Sequence, residues 1–523
     1  MMRIGIDVGG TNTDAVLIHE GTVHRAVKCP TTADVTGGIL LALQELLRVA
    51  AVSTSRIGTV MIGTTHFTNA VVQRRDVARV AAVRIGLPAA ATLPPFVDWP
   101  ADLRDMVRGP VHMIRGGYEV DGRPLVPFDR CAMRDAARQI AESGVAAAAV
   151  CAVFSPLNPD LEQEAGDILR QECPGIAVTL SHELGRIGLL ARENVTLLNA
   201  SLVGMARATV AAFRTAIAQA GITAPLFITQ NDGTVASAEE AAAFPVRSFA
   251  SGPTNSLRGA AFLSGLEDAL VVDVGGTTAD IGGLVRGFPR EANNVVQVGG
   301  VRTLFRMPDL LSIGLGGGTL CDPENPSRIG PRSVGFRLTE QALVFGGSQL
   351  TCTDIAVAAG LIELGDRGRV SNLSPAFIQA ALARMHAMLA DSVDRMKTDA
   401  RSVPLVAVGG GAFLVPEHLP GVAEVVRVPH AGVANALGAA IAQVSGEVDQ
   451  IFTESSREAA MASAQQQAEA KAIRAGARAD SLKLVEMEDI PLAYLPGNAL
   501  RVRARVVGDI QASAGVRADD PAS

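Results

Sequence analysis

Residues 4–18 read IGIDVGGTNTDAVLI, and residues 270–284 read LVVDVGGTTADIGGL. Both carry Asp-Val-Gly-Gly-Thr-x-x-Asp, from Asp7 to Asp14 and from Asp273 to Asp280, between apolar runs. That pattern predicts a buried strand, a tight turn and a return strand. Glycines at the turn let backbone N–H groups approach an anion closely, Thr hydroxyls add donors, and Asp oxygens suit a hard cation. One copy alone reads equally well as a plain hairpin. Two copies predict a phosphate clamp.

The copies begin 266 residues apart, too far for a solenoid period, so they mark the duplication of a whole domain in which each half gives one loop to a shared cleft. This plan resembles the actin-like ATPases and sugar kinases. The resemblance implies an α/β fold: duplicated actin-like ATPase (ribonuclease H-like) domains around a nucleotide cleft, with a small C-terminal extension. Length and composition agree. At 523 residues two or three domains are expected, and an aromatic content of 4% beside abundant Ala, Val, Leu and Gly favours α/β layers. A net charge of −7 gives no basic footprint for nucleic acid or an acidic membrane surface.

The start, Arg3-Ile4-Gly5-Ile6, lacks a signal-peptide pattern, and the longest apolar run, Val145 to Phe154, is too short to span a bilayer. A cytoplasmic protein is expected. The six cysteines show no CxxC pair and are read as reduced thiols, while His66, His112 and His182 lack metal-ligand spacing and are read as structural.

Strand-like and helical patterns alternate along the chain, which favours parallel sheets with crossover helices. Residues Pro88 to Pro110 read as an irregular excursion, a lid or a subunit contact. A long helix is expected over Glu193 to Gln219. Boundaries are placed at 1–180 for the first domain, 181–444 for the second and 445–523 for the extension. In the last, Thr453 to Ala475 reads as a solvated helix with little apolar face, Ser481 to Leu495 and Leu500 to Ile510 as strands, and the last dozen residues as disordered.

Ten motifs follow one another in order: DVGGTNTD from Asp7, GTTHFTNAVVQRR from Gly63, SHELG from Ser181, TQNDGT from Thr229, SGPTNSLRGA from Ser251, DVGGTTADIG from Asp273, SIGLGGG from Ser312, IGPRSVG from Ile329, TCTD from Thr351 and VGGGA from Val408. Together they resemble the hydantoinase A/5-oxoprolinase family, from Met2 to about Ser445. The resemblance implies an ATP-dependent hydrolase of cyclic amides such as a hydantoin, an oxoproline or a lactam, working with a second hydantoinase-type subunit. It also leaves room for a carboxylase subunit of the acetone carboxylase type. A sugar kinase and an actin-like assembly ATPase are the rivals, though the former's cysteine-rich zinc loop and Glu-x-Gly-His segment are missing.

An amide resists water because its carbonyl is stabilised by resonance and its amine leaves poorly. Phosphorylation of the lactam oxygen by ATP removes both obstacles, and water then opens the ring once a general base takes a proton. Gly9, Gly10, Thr11, Asn12 and Thr13 are assigned to one face of the phosphates, and Gly275, Gly276, Thr277 and Thr278 to the other. Asp7 and Asp273, at strand ends, are assigned to Mg²⁺. Asp14 and Asp280 are the candidate bases, Asp14 preferred. Gly409, Gly410 and Gly411 resemble an adenosine loop. Thr64, Thr65, Thr68 and Asn69, with Asp232 and Ser251, are the candidate substrate contacts; Thr64 or Thr65 reads equally as a helix N-cap.

Overall fold

The computed structural model describes residues 2–9, 12–30, 35–185, 187–292, 296–304, 306–453, 455–492 and 499–511. The first copy folds as β1 (Met2–Val8), β2 (Asn12–His19) and β3 (Thr22–Pro30), an antiparallel meander followed by α1 (Val35–Ala50) and by β4 (Ile57–Thr64), which runs parallel to β1. Helix α2 (His66–Val72) then leads into an inserted layer of β5 (Val80–Leu87), α3 (Ala101–Val107), β6 (Arg108–Arg115), α4 (Arg130–Ser143), β7 (Ala147–Ala152), α5 (Asp160–Glu172) and β8 (Ala177–Leu180). Its four strands form a parallel sheet in the order β6-β5-β7-β8.

Helix α6 (Leu189–Gln219) returns the chain to the first sheet, where β9 (Leu226–Thr229) lies parallel to β4. The apolar length of α6 would suit a membrane crossing, yet two cores account for it. Its first half, with Leu197, Leu198 and Leu202, packs with the inserted layer, and its second half, with Phe213 and Ile217, packs with the first sheet. Strand β10 (Thr234–Ser237), α7 (Ala238–Ala243) and α8 (Ser251–Ser264) complete this half.

The second copy repeats the plan with β11 (Ala269–Val274), β12 (Ala279–Val285) and β13 (Phe288–Pro289) as its meander. A hairpin of β14 (Val296–Val298) and β15 (Val301–Thr303) follows, then β16 (Leu310–Ile313) against β12, and a second hairpin of β17 (Thr319–Cys321) and β18 (Ile329–Ser333). Helices α9 (Leu338–Gln341), α10 (Cys352–Ala359) and α11 (Pro375–Met396) precede β19 (Val403–Val408) and β20 (Val422–Arg427), which extend the sheet in parallel from β11. The two sheets therefore share one order, β3-β2-β1-β4-β9 and β13-β12-β11-β19-β20. This is the duplicated actin-like ATPase fold.

Helix α12 (Ala434–Ala440) leads back to the first sheet, which gains β21 (Gln443–Phe452), then α13 (Arg457–Arg474), β22 (Lys483–Pro491) and β23 (Leu500–Gly508). The full order is β22-β23-β21-β10-β9-β4-β1-β2-β3. Strands from all three stretches of sequence thus meet in one sheet, which crosses the linear boundaries at residues 180 and 444. Hydrogen bonding of β9 to β4 and of β21 to β10 decides the grouping.

Two further expectations change. Residues 88–110 are no open excursion: Phe96, Trp99, Leu103 and Val107 are buried in the core beneath α6, and residues 101–107 form α3. Helix α13 is not a solvated helix either. Ala460, Ala464, Ala468 and Ala472, one per turn, are fully buried against β21 and β23. Alanine gives a weak apolar signal, but its small size allows backbone contact, and a Cβ on Gly446 would lie 2.0 Å from the Ala468 carbonyl oxygen. The residues expected to be disordered, 512–523, lie outside those described.

Helices α8 and α12 lie face to face between the two sheets. Leu257 and Ala260 of α8 pack with Val271 and Leu284 of the second sheet, and Ala436, Leu437 and Ala440 of α12 pack with Val16 and Ile18 of the first. A Cβ on Gly259 would sit 2.0 Å from the Ala434 carbonyl oxygen, and one on Gly438 1.8 Å from that of Asn255. Gly438→Val should therefore cost about 3 kcal/mol or more through overpacking. By contrast, Gly204, exposed within α6 with open space around it, should gain about 1 kcal/mol as Gly204→Ala. Denaturant melts of both variants check the contrast.

Candidate functional site

Each copy of the motif places two carboxylates opposite one another. In the antiparallel pairing Asp7 faces Asp14, and Asp273 faces Asp280. The turns match: the Gly9 N–H donates to the Asn12 carbonyl at 3.0 Å, and the Gly275 N–H to that of Thr278 at 2.9 Å. Gly10 and Thr11 lie outside the described residues. Gly276 has nothing within 4 Å of where a Cβ would be, so the crest of the second loop is open.

Two glycine runs brace that loop. The N–H groups of Gly317 and Gly318 donate to the carbonyls of Gly275 and Gly276 at 3.0 and 2.7 Å, and the Gly411 N–H donates to Val274 at 2.7 Å. A Cβ on Gly409 would fall 2.2 Å from Asp273 Oδ1. The Gly409–Gly411 turn therefore lies directly against the second carboxylate, while Gly410 stays open.

Burial governs the electrostatics. Desolvation, reinforced by the charge of Asp14, pushes Asp7 up to about 7, although Asn435 and Lys28 oppose the shift. Desolvation likewise pushes Asp273 up to about 6 against a hydrogen bond from Ser256. Asp14 is raised by burial, with Lys28 Nζ at 2.6 Å favouring its ionised form, and Asp280 is raised by burial against a hydrogen bond from Ser312. Asp7 Oδ1 and Asp14 Oδ1 are buried and accept no hydrogen bond from the described residues. A buried carboxylate with an orphaned oxygen, as at Asp7, fits a divalent cation.

Ser256 and Asn435 escaped the sequence reading. Asn435 Nδ2 donates to Asp7 Oδ2 at 3.3 Å, and Ser256 Oγ lies 2.5 Å from both Asp273 Oδ2 and Asn435 Oδ1. A chain of contacts thus runs from one half's carboxylate to the other's. The hydroxyl has one proton for two acceptors, so it donates to one of them at a time. No local pattern signals the contact between Ser256 and Asn435, which lie 179 residues apart.

The candidate substrate contacts gather beside Asp7, with one exception. Gly63 is paired with Asp7 and Thr64 with Val8. Thr64 is buried, its Oγ1 lies 2.6 Å from His66 Nδ1, and its carbonyl accepts from Ser251 Oγ at 3.0 Å. Thr65 occupies the N-cap position of α2 without a side-chain capping bond, and its hydroxyl accepts from Asn69 at 3.3 Å. Thr68 donates to the Phe249 carbonyl. Asp232 is drawn away from this group: it pairs with Arg505 at 3.1 Å and accepts from Thr234 at 2.6 Å. It therefore serves a structural ion pair to the last strand.

The raised carboxyls fix a pH dependence. Over the range between the unfolded value of 3.8 and about 7, folded Asp7 keeps a proton that the unfolded chain has released, so stability falls as pH rises through that range. The melting temperature of the ligand-free protein should decline from pH of about 4 to about 7, and Asp7→Asn should flatten the decline. Scanning calorimetry at several pH values measures both.

Two family models match the chain: the hydantoinase/oxoprolinase N-terminal region over residues 3–173 and hydantoinase/oxoprolinase over residues 192–366. The acetophenone carboxylase gamma subunit of Aromatoleum aromaticum is 26% identical over 403 residues, covering 69% of this chain and 53% of the relative. The caprolactamase subunit alpha of Pseudomonas jessenii is 26% identical over 427 residues, covering 75% and 60%. This chain thus spans little more than half the length of these curated relatives. Among solved structures, the ATP-dependent caprolactamase from Pseudomonas jessenii superposes with a TM-score of 0.78 at 19% identity, covering 97% of this chain and 88% of that one. Nucleotide-free acetone carboxylase gives 0.68 at 18%, covering 98% and 89%. Sequence models across about two thirds of the chain place this protein in the hydantoinase/oxoprolinase family.

Proposed function

We propose that this chain is the nucleotide-binding component of an ATP-dependent cyclic amide hydrolase, acting with a second, hydantoinase-type subunit. The observation that carries the reading is the pair of matched Asp hairpins, linked through Asn435 and Ser256, with orphaned carboxylate oxygens between Asp7 and Asp14. The relatives named for caprolactamase activity support the choice of a cyclic amide.

When bound, Mg·ATP would supply a phosphoryl group that converts an inert amide carbonyl into an electrophile, with the metal offsetting phosphate charge. Residues 9–13 and 275–278 cradle the phosphates, and Asp7 and Asp273 hold the cation from either half. Thr65, Asn69 and Ser251, at the meeting of α2 and α8, orient the ring. Asp14 takes the proton from water. Burial raises its pKa, which suits a base, while Lys28 favours its ionised form.

The acetophenone carboxylase relative favours a second reading, in which the same clamp activates a ketone for carboxylation. Both readings begin with activation of a carbonyl by ATP, so the added substrate separates them. With the partner subunit present, ATP consumption should rise with caprolactam or a hydantoin. If acetophenone plus bicarbonate raises it instead, the hydrolase assignment fails.

Two substitutions test the clamp and the base. Gly276→Val fills open space at the crest of the second loop, and should weaken Mg·ATP binding at least about tenfold in calorimetry while leaving the melting temperature unchanged. Asp14→Asn should retain nucleotide binding yet slow ring opening by roughly 10²–10⁴-fold. Wild-type ring opening in Asp14→Asn, with loss in Asp280→Asn, would give the base role to the second half.

A further inference from the structure

Two sequence motifs that the clamp does not use, SHELG at 181–185 and TQNDG at 229–233, line the same cavity of about 560 Å³. At its edge stands His182, whose ring Nδ1 lies 2.7 Å from Glu162 Oε2. Glu162, in the first turn of α5, is wholly buried. It also accepts from the Ala152 N–H at 2.7 Å, the His182 N–H at 2.9 Å and Ser181 Oγ at 2.5 Å. Burial pushes this carboxyl up, but the hydrogen bonds outweigh it and hold the group below the usual range, hence ionised.

A carboxylate only accepts, so Nδ1 donates to it and Nε2 is the ring nitrogen left for the cavity that the residue lines. Anchoring the β7–β8 end of the inserted sheet would need only the backbone N–H groups and Ser181. The imidazole is an addition, and it is aligned by a buried charge as a ligand-facing acceptor is.

The cavity lining carries both signs of charge, with Arg247, Lys471 and Arg474 beside Glu183, Glu240 and Glu447. Lys471 and Arg474 come from α13; burial first, then the charges of Arg474 and Arg247, disfavour the protonated form of Lys471, while Glu447 opposes them. These two cations on one helix suit a carboxylate. Glu183, next to His182, supplies a negative group; its carbonyl accepts from Arg247 Nη2 at 2.7 Å, and among the described residues its side chain enters no ion pair. A polyanion would meet Glu183 and Glu240, and an apolar ligand would strand all of these groups.

We propose that this cavity is a second ligand site, for a small zwitterion of the amino-acid class, whose ammonium group donates to His182 Nε2 beside Glu183 and whose carboxylate faces Lys471 and Arg474. Ring opening of a lactam yields a zwitterion of this class. That link rests on the function proposed above, whereas the site itself does not.

The test uses the full chain labelled with carbon-13 histidine and titrated with δ-aminovalerate, valerate and pentylamine. The His182 signal is identified by its loss in His182→Asn, in which the amide can still donate to Glu162. δ-Aminovalerate should shift that signal saturably and bind at least about tenfold more tightly than either singly charged compound. His182→Asn and Lys471→Gln should each weaken its binding about tenfold by calorimetry, with Mg·ATP affinity unchanged as the control for folding. A stationary His182 signal, or equal binding of valerate or pentylamine, overturns the proposal. Loss of Mg·ATP binding in the wild type would instead count against the clamp.

Discussion

Helices α8 and α12 touch backbone to backbone between the two sheets, and this contact sets how the carboxylates of the two halves meet. Only glycine at positions 259 and 438 lets the helices approach so closely. The approach brings Ser256 of α8 within 2.5 Å of Asn435 of α12, and each then reaches the strand-end aspartate of a different half. Four carboxylates thereby come into one region, Asp7 and Asp14 buried and Asp273 and Asp280 partly so, an arrangement unfavourable unless protons, Lys28 or a cation offset it. The raised values of Asp7 and Asp273 express that cost, and a bound cation with its anionic ligand would relieve it.

A second set of charges ties the halves together farther from the clamp. Arg306 contacts Glu291, Glu447 at 2.9 Å and Glu486 at 2.5 Å, and Arg503 reaches Glu291, Glu486 and Glu488. Arg505 pairs with Asp232 and lies over the Phe288 ring with Arg258. These contacts join the loop after β13 to the strands that close the first sheet, so the C-terminal strands belong to the framework around the clamp. Networks of this kind are stronger than isolated surface pairs because most of their members are shielded from water.

The paired hairpins were legible in the sequence because the information is local: apolar strands, glycines at the turn and carboxylates at fixed spacing. The shared sheet order followed from the repeat and from the family resemblance. What stayed hidden depends on contacts between distant residues. Ser256 sits inside the SGPTNSLRGA motif without being singled out there, Asn435 sits in a stretch with no motif, and only the crossing of α8 and α12 unites them. The stripe at Ala460, Ala464, Ala468 and Ala472 was passed over because alanine is barely apolar on any scale, although its size is what permits the approach to β21. Asp232 was grouped with the substrate contacts through its neighbours in sequence, but Arg505, 273 residues away, claims its side chain.

The most direct test of the central account is a crystal structure of this chain with Mn²⁺ and a non-hydrolysable ATP analogue, read by anomalous scattering. The account predicts a manganese peak at the carboxylates of Asp7 and Asp273, with the phosphates between residues 9–13 and 275–278. A nucleotide bound elsewhere, or bound between these loops with no metal at either aspartate, would contradict it.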